Sequence, residues 1–225
     1  MQDWCSYFLG LGYYGFYVRR PAAGAHAAAR AGAPEALLAA VAERAAACRA
    51  CGLWEGAHTV VFGVGDPRAR LMFIGEGPGE DEDLKGEPFV GRAGQLLTKI
   101  IRAMGLEREQ VYIANIVKHR PPQNRNPLPE EIVACTPYLE AQIEAIRPAV
   151  LVALGKCAAE FLTGNPEGIT RIRGRWHDYK GIPLMPTFHP SYLLRQDKAK
   201  RLVWEDMKEV LRKLELPVPS SSAQR

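Results

Sequence analysis

The stretch from Leu71 to Asp83 constrains this fold most. Leu71-Met72-Phe73-Ile74 is a short apolar run that stops at Gly75-Glu76-Gly77-Pro78-Gly79, followed by Glu80, Asp81, Glu82 and Asp83. A run this short, bounded by Gly and Pro, predicts a buried strand that breaks into a loop. Gly86-Glu87-Pro88-Phe89-Val90-Gly91-Arg92-Ala93-Gly94-Gln95-Leu96-Leu97 comes next and opens a helix. Glycine lets backbone approach a ligand closely, and open α/β sheets place their chemistry beyond the carboxyl ends of strands. The loop is not a P-loop, because no Gly-Lys-Ser/Thr follows. Nor is it a dinucleotide fingerprint, because its carboxylates repel a pyrophosphate.

Other segments alternate around it. Helical spacing predicts a helix from Pro34, with Leu37, Leu38, Val41 and Ala45 on one face, ending at Cys48-Arg49-Ala50-Cys51-Gly52. Thr59–Phe62 reads as a short strand. Gln95–Met104 is amphipathic, with Gly105 as its cap. Val111–Val117 is a strand, and His119–Pro129 a proline-rich loop. A helix starts at Glu130 and restarts at Thr136-Pro137, with Thr as N-cap and Pro at the first helical position. Ala149–Leu154 is too apolar to alternate, so it is buried on both faces. Lys156–Thr163 is a helix capped by Gly164, residues 165–180 are irregular and basic, and Pro183–Phe188 is the last core strand. Asp197 caps a final amphipathic helix carrying Leu202, Val203, Met207, Val210, Leu211 and Leu214. Strands alternating with helices imply an α/β fold, a parallel sheet covered on both faces.

A chain of 225 residues with 47% hydrophobic content suffices for one such domain with a full core. The net charge of +4 and a sequence pI of about 8.8 permit a polyanionic partner without demanding one. No apolar run reaches the roughly 18 residues of a membrane span, and Met1–Val18 lacks the basic front of a signal peptide. An odd number of cysteines, five, argues against a disulfide framework and for a reducing compartment, hence the cytoplasm. Residues 1–34, aromatic and then Ala/Gly-rich, read as an extension, either a docking strand or a poorly ordered tail. Residues 217–225 read as a disordered tail.

Within the acidic loop, Glu76 is the best-placed acid, one residue beyond the strand and between glycines. Glu80, Asp81, Glu82 and Asp83 read mainly as a solvated, helix-capping cluster. Phe89 is either a core anchor or a planar platform for a base. Asn115 is an amide inside the strand Val111–Val117; buried, it needs partners, from backbone or from a ligand edge carrying a donor and an acceptor. His189 ends a strand and precedes Pro190-Ser191. Leu193, Leu194 and Arg195 follow, as a wedge for a base stack or as the start of a helix core face. Cys48 and Cys51 form C-x2-C, the spacing of a metal knuckle. Cys135 adds a third thiol, and the fourth ligand is Cys157 or His119. Zinc and iron–sulfur chemistry both suit such a set.

Together these residues resemble the family 4 uracil-DNA glycosylases. Gly75 to Glu80 with Gly86 to Gly94 is similar to the first motif of that family, and His189-Pro190-Ser191 with Leu193-Leu194-Arg195 to the second. Asn115, Arg120 to Pro127 and the C-x2-C also match. The resemblance spans about residues 36–214 and identifies residues 35–216 as the glycosylase domain. It implies a three-layer α/β/α sandwich with a central four-stranded parallel sheet and a [4Fe–4S] cluster. The ligand positions that match are Cys48, Cys51, His119 and Cys135. The family usually reads Lys-Cys-Arg-Pro where this chain has Lys118-His119-Arg120-Pro121, so the resemblance selects His119 over Cys157. A related group that crosslinks to uracil-DNA shares the first motif, but Arg120–Pro129 holds no second histidine to attack a sugar.

The implied activity is hydrolysis of the N-glycosidic bond of uracil in DNA, single- or double-stranded, leaving an abasic site, by a monomer. The alternative is a covalent or non-catalytic uracil-DNA binder with the same pocket. Catalysis falls to Glu76 and His189, with Glu82 as second candidate acid. Substrate binding falls to Gly77, Phe89, Asn115, Ser191, Leu193 and Arg195. Arg92, Arg120, Arg125, Lys156, Arg171, Arg173, Arg175 and Arg195 are candidates for phosphate contacts.

Overall fold

A computed structural model describes residues 33–219. The expected extension and tail lie almost wholly outside the described residues. Helix α1 (Pro34–Ala46) starts on proline at its first helical position and buries Leu38, Val41 and Ala45. A short turn α2 (Leu53–Gly56) follows the cysteine knuckle. Strand β1 (Val64–Gly65) leads to β2 (Leu71–Gly75), whose residues are all buried. The carboxylate cluster forms its own helix, α3 (Glu80–Lys85), as acids at a helix N-terminus favour. Then come α4 (Arg92–Ala103), β3 (Tyr112–Asn115), α5 (Pro129–Ile146), β4 (Val150–Leu154) and α6 (Gly155–Thr163). A turn α7 (Ile169–Ile172), strands β5 (His177–Tyr179) and β6 (Ile182–Thr187), a turn α8 (Pro190–Leu193) and α9 (Ala199–Lys213) complete the chain.

The sheet order is β1-β3-β2-β4-β6-β5. The inner strands β3, β2, β4 and β6 run parallel, as expected, and antiparallel β1 and β5 extend the sheet at either edge. These edge strands are what sequence periodicity misses. The expected strand Thr59–Phe62 is irregular, and pairing begins at Val64 and Gly65 instead. A Cβ at Gly65 would lie 1.8 Å from the Val111 carbonyl oxygen, so this close edge contact requires glycine. His177–Tyr179 pairs within the segment expected to be irregular.

Two helical corrections have equally local reasons. The expected break at Thr136-Pro137 is absent: α5 runs through Pro137, and Thr136 Oγ1 donates to the Ile132 carbonyl (2.7 Å) instead of capping. Pro137 is exposed, which leaves the carbonyl freed by its missing N–H toward the solvent side. Asp197 does not cap α9; its carboxylate meets Lys200 Nζ at 2.6 Å, one turn along.

Alternate residues of the inner strands feed two cores. Met72, Ile74, Ala114, Leu151 and Ala153 face α5 and α6, while Leu71, Phe73, Ile113, Val152 and Met185 face α4 and α9. The chain is thus a three-layer α/β/α sandwich. Register brings Gly75 beside Asn115, and Leu154 beside Thr187. The loops after β2, β3, β4 and β6 therefore leave from one edge of the sheet.

Candidate active site

The site is built on that edge. Gly75, the last residue of β2, lies between two side chains: a Cβ there would sit 2.4 Å from Asn115 Oδ1 and 2.6 Å from the Phe89 ring. Only glycine leaves space for both. Phe89 is held in the left-handed region, at φ 55°, a conformation costly for a bulky residue. Two features enforce it. A Cβ at Gly94 would lie 1.9 Å from the Phe89 carbonyl, so α4 packs its backbone directly on this turn. Glu82 also reaches across from α3, and its Oε1 accepts the N–H groups of Val90 (2.8 Å) and Gly91 (2.9 Å). Its Oε2 accepts Gly79 N–H at 3.1 Å. Glu82 thus clasps the two glycine loops together, and its oxygens are spent on backbone. Asp83 is fully buried and fixes the His58-Thr59 segment through its N–H groups (2.9 and 3.3 Å) and the His58 ring (2.9 Å). Neither of these acids belongs to a solvated cluster.

Asn115 is 1% exposed, and its Oδ1 accepts no hydrogen bond from any described residue. A buried acceptor left unpaired costs about 1–3 kcal/mol, so the fold reserves it for something. Behind it, the buried Lys118 ammonium donates to the Asn115 carbonyl (2.7 Å) and to Gln142 Oε1 (2.6 Å). This cation ties the end of β3 to α5. Nothing in the sequence around Lys118 marks it as buried.

His189 faces Phe89, with ring centroids 5.5 Å apart and planes tilted by 36°. Its Nδ1 accepts the Ser191 N–H at 3.2 Å and lies 2.8 Å from Ser191 Oγ. An accepting Nδ1 leaves the proton of the neutral ring on Nε2. Burial, and next the charge of Arg195, push the imidazole down to about 4, so the ring is neutral at pH 7. Ser191 therefore sets the tautomer, and Arg195 lies close enough for its charge to be felt.

Glu76 lies just beyond Gly75. Burial raises its carboxyl to about 6, and the neighbouring Cys157 thiol opposes that rise. Gly77 closes the loop against Val117: a Cβ there would meet Val117 Cγ2 at 2.8 Å. Leu193 departs from its expected role. It is 1% exposed and packs in the core against α4 and α9, whereas Leu194 is 43% exposed. The turn α8 rotates the first leucine inward and presents the second. Arg173 also leaves the phosphate-contact set, because it pairs with Asp206 and donates to the Leu202 carbonyl (2.7 Å). Arg125 is chelated by Glu131 at 2.8 and 2.6 Å.

A family model described as the uracil DNA glycosylase superfamily matches residues 62–208, which hold Glu76, Phe89, Asn115 and His189. The chain belongs to this superfamily. The type-4 uracil-DNA glycosylase of Thermotoga maritima is 50% identical over 179 residues, 78% of this chain and 93% of that protein. That of Sulfurisphaera tokodaii is 43% identical over 177 residues, 75% of this chain and 80% of its own. A type-5 uracil-DNA glycosylase, from Pyrobaculum aerophilum, is 32% identical over 166 residues, 66% of this chain and 72% of its own.

In this member of the uracil DNA glycosylase superfamily, Cys48, Cys51 and Cys135 lie near enough for Cys135 to feel the charge of the other two. Cys48 and Cys51 flank the turn before α2, and Cys135 is buried on α5. Cys51 likewise feels the charge of Cys48. Cys135 Sγ also lies 3.2 Å from the Lys118 N–H. Soft thiols are the donors that iron–sulfur clusters and zinc take, so the chemistry of this set fits. His119, the expected fourth ligand, is buried in the groove with Arg49, Trp54 and His58, and feels the charges of Arg49 and Asp83. Among the described residues, no three His, Cys, Asp or Glu side chains are gathered as a metal site. Cys157, the rejected alternative, lies beside Glu76 instead.

Proposed function

We propose that this protein hydrolyses the N-glycosidic bond of uracil in DNA and leaves an abasic site. The unpaired Asn115 Oδ1 carries this conclusion. A buried, fixed acceptor pairs with the N3–H of uracil, and the neighbouring amide N–H with O4. Cytosine presents the opposite pattern at both atoms, so it leaves buried groups unpaired, which is how polar sites discriminate strongly.

The target bond is unreachable inside a base stack, so the nucleotide is flipped out. Phe89 stacks on the extruded base. Leu194 and Arg195, exposed just past His189, take the space and the phosphate charge left on the strand. As the bond to C1′ lengthens, negative charge collects on uracil O2, where the Nε2–H of neutral His189 donates to it. Positive charge collects on the sugar, where ionised Glu76 stabilises it and orients the attacking water, whose proton it accepts. Gly75, Gly77 and Glu82 position these groups without touching reacting atoms.

Cys48, Cys51 and Cys135, with His119 as fourth donor, hold a [4Fe–4S] cluster in our reading. When bound, it staples the turn before α2 to α5, and the glycosidic chemistry does not pass through it. We assign residues 35–216 to the catalytic unit, working as a monomer in the cytoplasm. The test is incubation with uracil-containing oligonucleotides, single- and double-stranded, followed by alkali. Strand breaks with free uracil are the expected product. A protein–DNA band that survives denaturation, with uracil released but no alkali-labile abasic strand, favours the covalent binder.

A further inference from the structure

We infer that Lys118 is a positioning residue for base recognition: its buried ammonium fixes the end of β3 so that the Asn115 amide meets uracil in one orientation. This deepens the reading of Asn115 above and rests on it.

Lys118 is buried, and both acceptors of its ammonium are neutral: the Asn115 carbonyl at 2.7 Å and Gln142 Oε1 at 2.6 Å. The Nζ also stands 5.9 Å from the centre of the Phe62 ring. Burying a cation whose hydrogen bonds go to neutral groups is unfavourable, and an apolar side chain would fill the same volume without that cost. What the ammonium adds is a strong, charge-assisted hydrogen bond to the backbone of Asn115.

The backbone of Lys118 is engaged as well. Its N–H donates to Cys135 Sγ (3.2 Å), and its carbonyl accepts the Val61 N–H (2.8 Å). From this fixed base the side chain folds back onto Asn115. Gln142 is held as firmly. Its Nε2 donates to the Phe62 carbonyl (2.9 Å) and to the Tyr112 hydroxyl (3.3 Å). A Cβ at Gly63 would lie 2.9 Å from that nitrogen and 3.0 Å from the Tyr112 ring, so glycine makes room for the pair. Tyr112 and Asn115 are the first and last residues of β3, and Cys135 and Gln142 lie about two turns apart on α5. The network therefore braces both ends of the strand against one helix.

The Asn115 side chain has less support of its own. Its Oδ1 is buried and unpaired among the described residues, and Gly75 leaves open space where a Cβ would press on it. The direction of the amide thus depends on where the Asn115 backbone is held. Misplacing such a group by about 1 Å costs on the order of 100-fold in rate. Lys118 acts through Asn115 and touches no reacting atom.

The test compares the full chain as wild type, Lys118→Met, Asn115→Ala and the double variant in single-turnover release of uracil from DNA. Lys118→Met should slow release about tenfold or more in the wild-type background, and less than about twofold where Asn115 is already alanine, as residues acting through one another do. Its affinity for a strand carrying an abasic site, which sets no base against Asn115, should stay within about twofold of wild type, whereas a generally loosened fold weakens it. If Lys118→Met fails to fold by circular dichroism, Gln142→Met removes one acceptor of the ammonium and is read by the same comparison. No slowing in the wild-type background, equal slowing in both, or abasic-strand affinity lost in step with release overturns the role of Lys118 and leaves Asn115 standing. Release by Asn115→Ala as fast as wild type overturns the reading of Asn115 and this inference with it.

Discussion

Gly75 and Asn115 stand side by side at the ends of β2 and β3, and a Cβ on the first would lie 2.4 Å from Oδ1 of the second. The pocket floor is therefore defined by a missing methyl group. Gly75→Ala must push Asn115 or the Phe89 ring aside. Overpacking of this kind costs about 1–3 kcal/mol of stability, and kcat/KM for uracil should fall at least about tenfold more than that loosening explains, as a displaced site does. Urea unfolding and excision kinetics on one preparation check both halves.

Glu76 and His189 respond to pH in opposite senses. A buried glutamic acid whose carboxyl is raised from 4.5 to about 6 stabilises the fold below 4.5, and that contribution is lost as pH rises through about 6. Glu76→Gln removes the loss. It should stabilise the protein above about pH 7 by up to about 2 kcal/mol, with the gain vanishing toward about pH 4.5. His189, lowered from 6.5 to about 4, contributes stability above 6.5 that is lost as pH falls toward 4, because the unfolded chain takes up its proton first. Thermal melts of wild type, Glu76→Gln and His189→Gln across this range read both effects. Activity should depend on ionised Glu76 alone, falling as pH drops through about 6.

Glu82 holds three backbone N–H groups in two loops. Glu82→Ala leaves those donors without their charged acceptor and should cost about 1–3 kcal/mol. Excision should weaken mainly through KM as Phe89 loses its fixed turn. The acidic limb of the pH profile should stay where it is, which distinguishes a clasp from an acid that handles protons.

His119 stands where the resembling family carries cysteine. His119→Cys supplies a fourth thiolate and should raise iron and sulfide per chain on aerobic purification and strengthen the visible absorbance. Cys135→Ala should remove both and lower the melting temperature. Zinc in place of iron, found by elemental analysis with no visible band, contradicts the cluster assignment.

Much of this was legible in the residues. Leu71–Ile74 and Val150–Leu154 are apolar runs that only a doubly covered parallel sheet buries, and the Gly-rich loop after the first points to the candidate edge. Glu76, Asn115 and His189 stand out as candidates because each follows or ends such a run. What escaped depends on contacts distant in sequence. Val64–Gly65 and His177–Tyr179 are too short to carry a period, and they pair only because a neighbouring strand offers its edge. Leu193 and Leu194 are chemically identical in sequence, and only the turn of α8 separates core from surface. Cys157 read as a small buried apolar residue, and its burial was right.

The central claim is that Asn115 selects uracil for removal, and single-turnover release from matched uracil- and cytosine-containing oligonucleotides tests it most directly. Wild type should release uracil and no detectable cytosine, and Asn115→Ala should release uracil at least about 100-fold more slowly while keeping its fold by circular dichroism. Uracil release that Asn115→Ala leaves unchanged, or cytosine release comparable to uracil in wild type, would contradict it.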